Sequence, residues 1–470
     1  MPVELMQHQR DGSAFLADAR NGLLAFEQGL GKTLVSIDAF RTVFKATRAD
    51  RLLIICPNSL KRNWVAEFEK FAPEFEVAIA EGLPRQRKSV FLSSRAPVVI
   101  TSYETARSEV TALLAFVQRQ KTALVLDESH AAKNWKSLTS AAARQIAPHC
   151  AFRWLLSGTP VTNSPSDLFT QIEILAPGER LLGSQETFLA RMEEDPKAGF
   201  AKPIFDKMIL RRTKEDCLDL PEKTFVDIRV ELPRWQRKLY DDMRHEMICE
   251  IQAMTGEQYK VFASTALAQL TRLIQIASNP ALLVEGMEGV PGKFEVLDGI
   301  AADILSVPGR KIIVWSNYVK SVESLLDRLG KFGAVAIYGG TPNNERQAIA
   351  GQFQNDPATR IMVANPAAAG TGFTLTSAAY TIYETLSWRY DHYAQSQDRN
   401  HRIGQTNPVT YLRLLAADTI EDAIVRALDR KSAMARSLLG DRDDEPAVSK
   451  LTKEEMCELL LSNKVPERNH

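Results

Sequence analysis

Short apolar runs rich in β-branched residues recur at Leu52–Cys56, Val98–Thr101, Ala123–Leu126 and Trp154–Ser157, with stretches of helical spacing between them. Continuous runs of this length between amphipathic segments predict parallel strands covered by helices on both faces. The rhythm restarts at Lys311–Ser316 and continues through Val335–Tyr338, Ile361–Ala364, Tyr380–Glu384 and Thr410–Leu415. The expected fold is therefore α/β, with two lobes built on parallel sheets flanked by helices.

The first lobe is placed at residues 1–222, with a helical insertion at about 165–209, and Pro221 marks its boundary. The second is placed at 223–440 and carries an insertion at about 233–290, where Leu, Met, Gln and Arg recur at helical spacing without a strand signal. A brace helix is expected at about 419–438, capped by Thr419, with acids early and bases late as the helix dipole favours. Residues 441–470 read as a charged break at Asp441–Glu445 and a short helix, for which Thr452 and Glu455 form a capping box.

Composition narrows the class. With 45% hydrophobic and 25% charged residues, the 470-residue chain matches an ordinary globular protein. Its 58 basic and 58 acidic residues cancel, so no global field draws it to a polyanion, and any nucleic-acid site must be local. The five cysteines are scattered, with no zinc spacing. The start, MPVELMQHQRDG, lacks the apolar segment of a signal peptide, and no run approaches the ~18 residues that span a bilayer. A cytoplasmic protein without a membrane role is expected, nucleoid-associated or, for a viral source, in the host cytoplasm.

Candidate chemistry lies just past the strands. The run EQGLGKT at 27–33 is a glycine-rich phosphate loop in which Gly29, Leu30 and Gly31 would bring backbone N–H groups to phosphate oxygens. Lys32 would neutralise the β and γ phosphates, and Thr33 would ligate magnesium. The first glycine of the usual motif is missing, and Phe26 stands there. In LVLDESHAAKN, at 124–134, Asp127 and Glu128 follow an apolar strand. Asp127 would hold magnesium and Glu128 would orient or deprotonate the attacking water.

From Asp127 to Asn134 the chain resembles the Swi/Snf-type group of superfamily 2 DNA translocases, and the resemblance extends from Leu5 to about Ser437. It implies two RecA-like lobes and assigns further residues. Gln9, in LMQHQRDG, resembles an adenine-recognising glutamine. Asn58, Ser59 and Lys61 lie in a segment, CPNSLKRN, similar to a first DNA contact, and Ser102 and Tyr103, in TSYE, to a second. Ser157 and Thr159, in SGTPVTN, resemble the motif that couples the γ-phosphate to DNA. Leu210–Lys223 resembles the stretch that ends the first lobe.

In the second lobe, Ser316, Gly340 and Thr341 lie in loops similar to those that grip the phosphate backbone. The stretch from Ala368 resembles the fifth helicase motif, giving Thr371 to DNA and Gly372 to nucleotide. The most specific block, QSQDRNHRIGQT at 395–406, offers Gln395 to the nucleotide and places Arg399 and Arg402 on one helix face, aimed at the γ-phosphate. Two departures stand out: Glu384-Thr385-Leu386-Ser387-Trp388-Arg389 replaces the family's Asp-x-x-Trp-Asn-Pro, and Phe26 and Gln28 replace its usual Asp and Met. Trp64, Trp315 and Trp388 are candidates for stacking on bases; Trp315 reads as core, and Trp388 is open to either role.

The resemblance implies an ATP- and magnesium-dependent monomeric motor, of bacterial or phage-like type. Its nucleotide would lie between the lobes, and it would move along duplex DNA, ahead of single-stranded DNA or RNA, with an unidentified protein partner left open. The rivals are a strand-separating or annealing helicase with the same engine, and a nucleotide-gated DNA-binding scaffold without turnover.

Overall fold

The computed structural model describes residues 4–439 except 162–164, 196–197, 256–257, 259–268, 285, 287 and 370–372, together with residue 460. The chain divides into two compact units, drawn mainly from Met1–Asp219 and from Leu220–Ser432.

The first unit is built on a seven-stranded sheet: β1 (Asn21–Phe26), β2 (Arg51–Cys56), β3 (Val77–Ile79), β4 (Val98–Ser102), β5 (Thr122–Asp127), β6 (Phe152–Leu156) and β7 (Ile209–Arg212). Their order across the sheet is β3-β4-β2-β5-β6-β1-β7, and every neighbouring pair is parallel. Parallel neighbours need a crossover for every connection, which is why helices alternate with strands and cover both faces. Ile54, Ile100, Val125 and Trp154, on four central strands, pack in one core on one face and exclude water.

Because β5, β6 and β1 are neighbours, the loops leaving their carboxyl ends lie side by side: Glu27–Gly31 after β1, Glu128 onward after β5, and Ser157–Pro160 after β6. The helix α1 (Gln7–Ala19) packs on α2 (Lys32–Lys45), which starts directly after the glycine-rich loop. The expected insertion contains the helices Ser166–Leu175, Gln185–Glu194 and Lys202–Met208.

The second unit has a six-stranded, wholly parallel sheet: β8 (Lys223–Val230), β9 (Ile312–Trp315), β10 (Ala334–Ile337), β11 (Ile361–Ala364), β12 (Tyr380–Tyr383) and β13 (Val409–Ala416), in the order β10-β11-β9-β12-β13-β8. The insertion holds the long helix Arg234–Ala253 and a second helical stretch at 269–278. The helix Glu421–Leu438 follows β13, and the Thr419 hydroxyl accepts from Glu421 N–H at its start, at 3.3 Å. The helix expected from Thr452 lies outside the described residues.

Four strands escape a reading by β-branched runs. β1 is NGLLAF, whose Leu and Ala suit a helix equally well, and β3 has only three residues. β7 ends in two arginines, and β8, KTFVDIRV, at one end of the described sheet, is exposed over most of its length.

Candidate nucleotide and nucleic-acid sites

The glycine-rich loop is shaped by positive backbone dihedrals at Gly29 (φ 93°) and Gly31 (φ 83°), which a side-chain-bearing residue adopts only with strain. At Gly31 a Cβ would also strike Gln9 Nε2 at 2.5 Å. Gln9 sits there because its Oε1 accepts from Met6 N–H at 3.0 Å while Nε2 donates to Leu30 O at 3.4 Å; His8 Nε2 reaches the same carbonyl at 3.1 Å. Lys32 opens α2, and its Nζ lies 2.9 Å from Phe26 O and 3.4 Å from Glu27 O, poised over the loop. Thr33 follows on the first turn, half-buried.

Phe26 is fully buried and packs edge-on against His8 at 5.9 Å, so the departure from the family's acid is absorbed beneath α1. Glu27 is anchored from β7, accepting from Arg211 Nη2 at 3.2 Å and Lys214 N–H at 2.9 Å.

Asp127 ends β5 and Glu128 follows it, both buried. Asp127 Oδ2 accepts from Trp64 Nε1 at 2.8 Å and Oδ1 from Glu128 N–H at 3.0 Å, while Tyr103 OH donates to Asp127 O at 2.8 Å. Burial, and then the neighbouring Glu128 carboxylate, push the Asp127 carboxyl up to about 6. Glu128 itself adopts left-handed backbone (φ 50°), a strained conformation of the kind concentrated at functional sites. Its Oε2 lies 3.3 Å from His130 Nδ1, which is also 3.3 Å from Ser157 Oγ; that hydroxyl accepts from Thr159 N–H at 3.2 Å.

The Ser157–Pro160 segment thus touches both neighbours. Through Ser157 it meets the acidic loop, and at Gly158 a Cβ would come 3.3 Å from Gln28 N and 3.5 Å from Lys32 Nζ. The donor set fits a phosphate chain: a cradle of backbone that a side chain would fill, a buried ammonium, and two buried acceptors without a partner, Gln28 Oε1 and Thr159 Oγ1. Thr33 and Asp127 supply the hard oxygens a magnesium ion prefers.

The nucleic-acid candidates of this unit fall into two groups. Asn58 and Ser59 are exposed just past β2, in the turn leading to α3 (Lys61–Phe71). Lys61 is buried and paired with Glu81 at 3.3 Å. Ser102 caps the helix it precedes by accepting from Thr105 N–H at 3.2 Å, and Tyr103 is buried against Asp127. Trp64 is buried too, and its indole serves Asp127 rather than a base.

In the second unit, Ser316 is fully buried and donates to Glu384 Oε2 at 2.7 Å; Ser278 and Thr385 hydroxyls bond the same carboxylate. Lys293 Nζ joins this cluster, donating to Glu384 O at 2.8 Å and Glu421 Oε1 at 2.6 Å. Trp315 is core, as its sequence position predicts. Thr341 Oγ1 accepts from Tyr338 N–H at 3.1 Å, next to Gly340. Trp388 is half-buried against the core, with Lys431 Nζ on its carbonyl at 2.7 Å. Thr371 and Gly372 lie outside the described residues.

The arginines meet differently from expectation. The helix Tyr390–Gln397 stops before them, so Arg399 and Arg402 sit in the following turn and do not share a helix face. They converge instead on one carbonyl: Arg399 Nη1 and Arg402 Nη1 lie 3.3 and 3.4 Å from Phe373 O. Arg399 is also held by Gln395 O, 3.1 Å from its Nε.

Residue-by-residue reading offered Trp64 and Tyr103 to nucleic acid, whereas both bond Asp127, and it gave no role to His130, between Glu128 and Ser157, or to Gln171, which accepts from Ser129 Oγ at 2.7 Å. Trp64, Tyr103 and Gln171 lie 63, 24 and 42 residues from the groups they bond, and His130 lies 27 from Ser157. Among the described residues, no helix is long and apolar enough to cross a membrane, and no cluster of three or more His, Cys, Asp or Glu side chains could hold a metal ion.

Comparison with known proteins accords with this geometry. The SNF2-related domain matches residues 4–282, and the helicase conserved C-terminal domain matches residues 292–404. The chain is 28% identical to the uncharacterized ATP-dependent helicase MG018 of Mycoplasma genitalium, over 97% of this chain and 44% of that protein. It is 27% identical to the DNA annealing helicase and endonuclease ZRANB3 of Bos taurus (94% and 41%). With the human SWI/SNF-related matrix-associated actin-dependent regulator of chromatin subfamily A member 1 it shares 29% (94% and 44%). A solved Sulfolobus solfataricus SWI2/SNF2 ATPase core in complex with dsDNA is 27% identical, covering 95% of this chain and 98% of that one, with a TM-score of 0.45. The chain spans less than half the length of these three curated relatives. With a match over more than half its length, and a nucleotide-type loop and acidic pair at the ends of the two strands that flank β6, the chain belongs to the SNF2-related family.

Proposed function

We propose that this protein is an ATP-driven motor that couples hydrolysis to movement along double-stranded DNA. The observation that carries the reading is the contact of the Ser157–Pro160 segment with both the Lys32 loop and the Asp127–Glu128 loop, an arrangement suited to passing the state of a γ-phosphate onward.

In this reading the Gly29–Gly31 backbone and Lys32 bind the triphosphate and Gln9 faces the adenine side. Glu128 orients the attacking water and takes its proton. Thr33 and Asp127 hold the magnesium ion, which supplies charge neutralisation at the phosphates. Arg399 and Arg402 match the charge that develops in the transition state, an effect of about 10³ to 10⁵ in related phosphoryl transfer. DNA contacts are assigned to the exposed Asn58 and Ser59 and to the loops at Gly340, Thr341 and Trp388. Lys61, Ser102, Tyr103 and Ser316 are buried, as is Thr341, and the first four are assigned a supporting role rather than a contact with DNA. The active species is taken as a monomer.

The test is ATP hydrolysis without nucleic acid and with blunt duplex DNA, single-stranded DNA or RNA. Duplex stimulation that Lys32→Ala and Glu128→Gln both abolish, in folded protein, is the expected result; hydrolysis equal to that of Lys32→Ala under every condition favours the scaffold instead. Similarity to a DNA annealing helicase makes strand annealing the second reading. Labelled complementary strands that pair faster with ATP would move it ahead.

A further inference from the structure

The helix Ser166–Leu175 turns one fully buried side chain, Gln171, toward the loops that follow β5 and β6. The Gln171 carboxamide uses both ends. Its Oε1 accepts from Ser129 Oγ at 2.7 Å, and its Nε2 donates to Pro160 O at 2.8 Å and to Asp167 O at 2.9 Å. Ser129 directly follows Glu128 and is itself fully buried, while Pro160 closes the segment that starts at Ser157. One planar group therefore bridges the two loops, and because its partners are buried, parting the loops would leave these polar groups unsatisfied.

One turn earlier on the same helix, Asp167 Oδ2 lies 3.9 Å from Lys133 Nζ, a second tie to the acidic loop. The helix thus holds the stretch from Ser129 to Lys133 at two points spaced four residues apart on its own face. A glutamine whose only task was to satisfy the buried carbonyls of Pro160 and Asp167 would need just its Nε2. The Oε1 bond to Ser129 has no such explanation.

We propose that Gln171 is a positioning residue that ties displacement of the Ser157–Pro160 segment to the placement of Glu128. The inference rests on the motor reading, in which that segment links nucleotide and DNA. It acts alongside the His130 contact: His130 joins Glu128 to Ser157 at the front of the segment, and Gln171 joins Ser129 to Pro160 at its back. With the rear tie removed, the segment can shift while the acidic loop stays in place, so that DNA binding no longer reaches the carboxylate.

The test compares wild type, Gln171→Met and Ser129→Ala in steady-state ATP hydrolysis with and without blunt duplex DNA, each checked for folding by thermal melting. Gln171→Met fills the same volume without either bond. Ser129→Ala removes only the bridge to the acidic loop and leaves Gln171 on Pro160, so it decides the matter if Gln171→Met fails to fold. The expected result is a fall of tenfold or more in the ratio of stimulated to basal kcat for Gln171→Met and of threefold or more for Ser129→Ala, with basal kcat and KM for ATP within threefold of wild type. Basal and stimulated rates that fall in parallel would mean a merely structural role and overturn the inference, as would a stimulation ratio kept by folded variants. A wild-type protein that DNA does not stimulate would overturn the motor reading, and the inference with it.

Discussion

Trp64 Nε1 gives Asp127 one of its two short hydrogen bonds, and it favours the charged carboxylate that a cation needs. Trp64→Phe keeps the ring and loses the donor, so the magnesium concentration for half-maximal ATP hydrolysis should rise about tenfold, the lower end of what lost outer-sphere partners cost. A magnesium titration checks this, and an unchanged midpoint would detach Trp64 from the site. The raised Asp127 carboxyl carries a second expectation. Its folded value of about 6 lies above its ordinary 3.8, so the folded state holds the proton more tightly than the unfolded chain between those values. The contribution of this group to stability therefore falls as pH rises from about 4 through 6. In metal-free protein, Asp127→Asn should gain on wild type by up to about 3 kcal/mol above pH 6, with the gain fading toward pH 4. Denaturant unfolding at both ends of that window reads the sign. Asp127 and Glu128 stood out in the sequence because they follow an apolar strand, and Lys32 because it closes a glycine-rich loop. Trp64 was not, since nothing local marks an indole as the partner of a carboxylate 63 residues away.

Lys293 and Glu421 form an ion pair with side chains 0% and 1% exposed, joining the helix Gly292–Leu305 to the start of the helix Glu421–Leu438. Burial pushes the Glu421 carboxyl up, against the pull of Lys293. Lys293→Met would leave a buried carboxylate unpaired, and the second unit should lose about 3 to 5 kcal/mol. Protonation relieves that cost, so the loss should shrink as pH falls and deepen as it rises. Chemical denaturation at pH 5 and pH 8 checks it, and Lys293→Met with Glu421→Leu should recover most of the loss. At this scale, long apolar strands such as Leu52–Cys56 announced themselves, and the helix after β13 was visible from its cap and charge pattern. β1 was hidden by leucines that suit helix and strand alike, β7 by its paired arginines, and both are defined by neighbours far along the chain: Leu24 pairs with Leu156 and Leu210. The end of the helix at Gln397 was hidden for a similar reason. Just beyond that end, Arg399 bonds Phe373 O, a tertiary contact that no local pattern encodes.

With 58 basic and 58 acidic residues, the molecule carries no net charge to steer it onto DNA. Under the proposed function, binding would come from a few local phosphate contacts, and its salt dependence would count them. For about four contacts, affinity for duplex DNA should fall about a hundredfold between 50 and 200 mM salt. Fluorescence anisotropy across that range is the check, and a flat response would refute phosphate-dominated binding. The sheet of the second unit has a consequence for how the protein is made. β8, its first strand in the chain, pairs with β13 alone among the described strands, and the Asp227–Arg413 pair that rivets them spans 186 residues. As the polypeptide leaves the ribosome, β8 waits beside no partner until nearly the whole unit has been translated. A stop codon anywhere before β13 would leave that strand edge bare, so a truncated product should present an aggregation-prone ribbon to the cell's chaperones rather than a smaller working part.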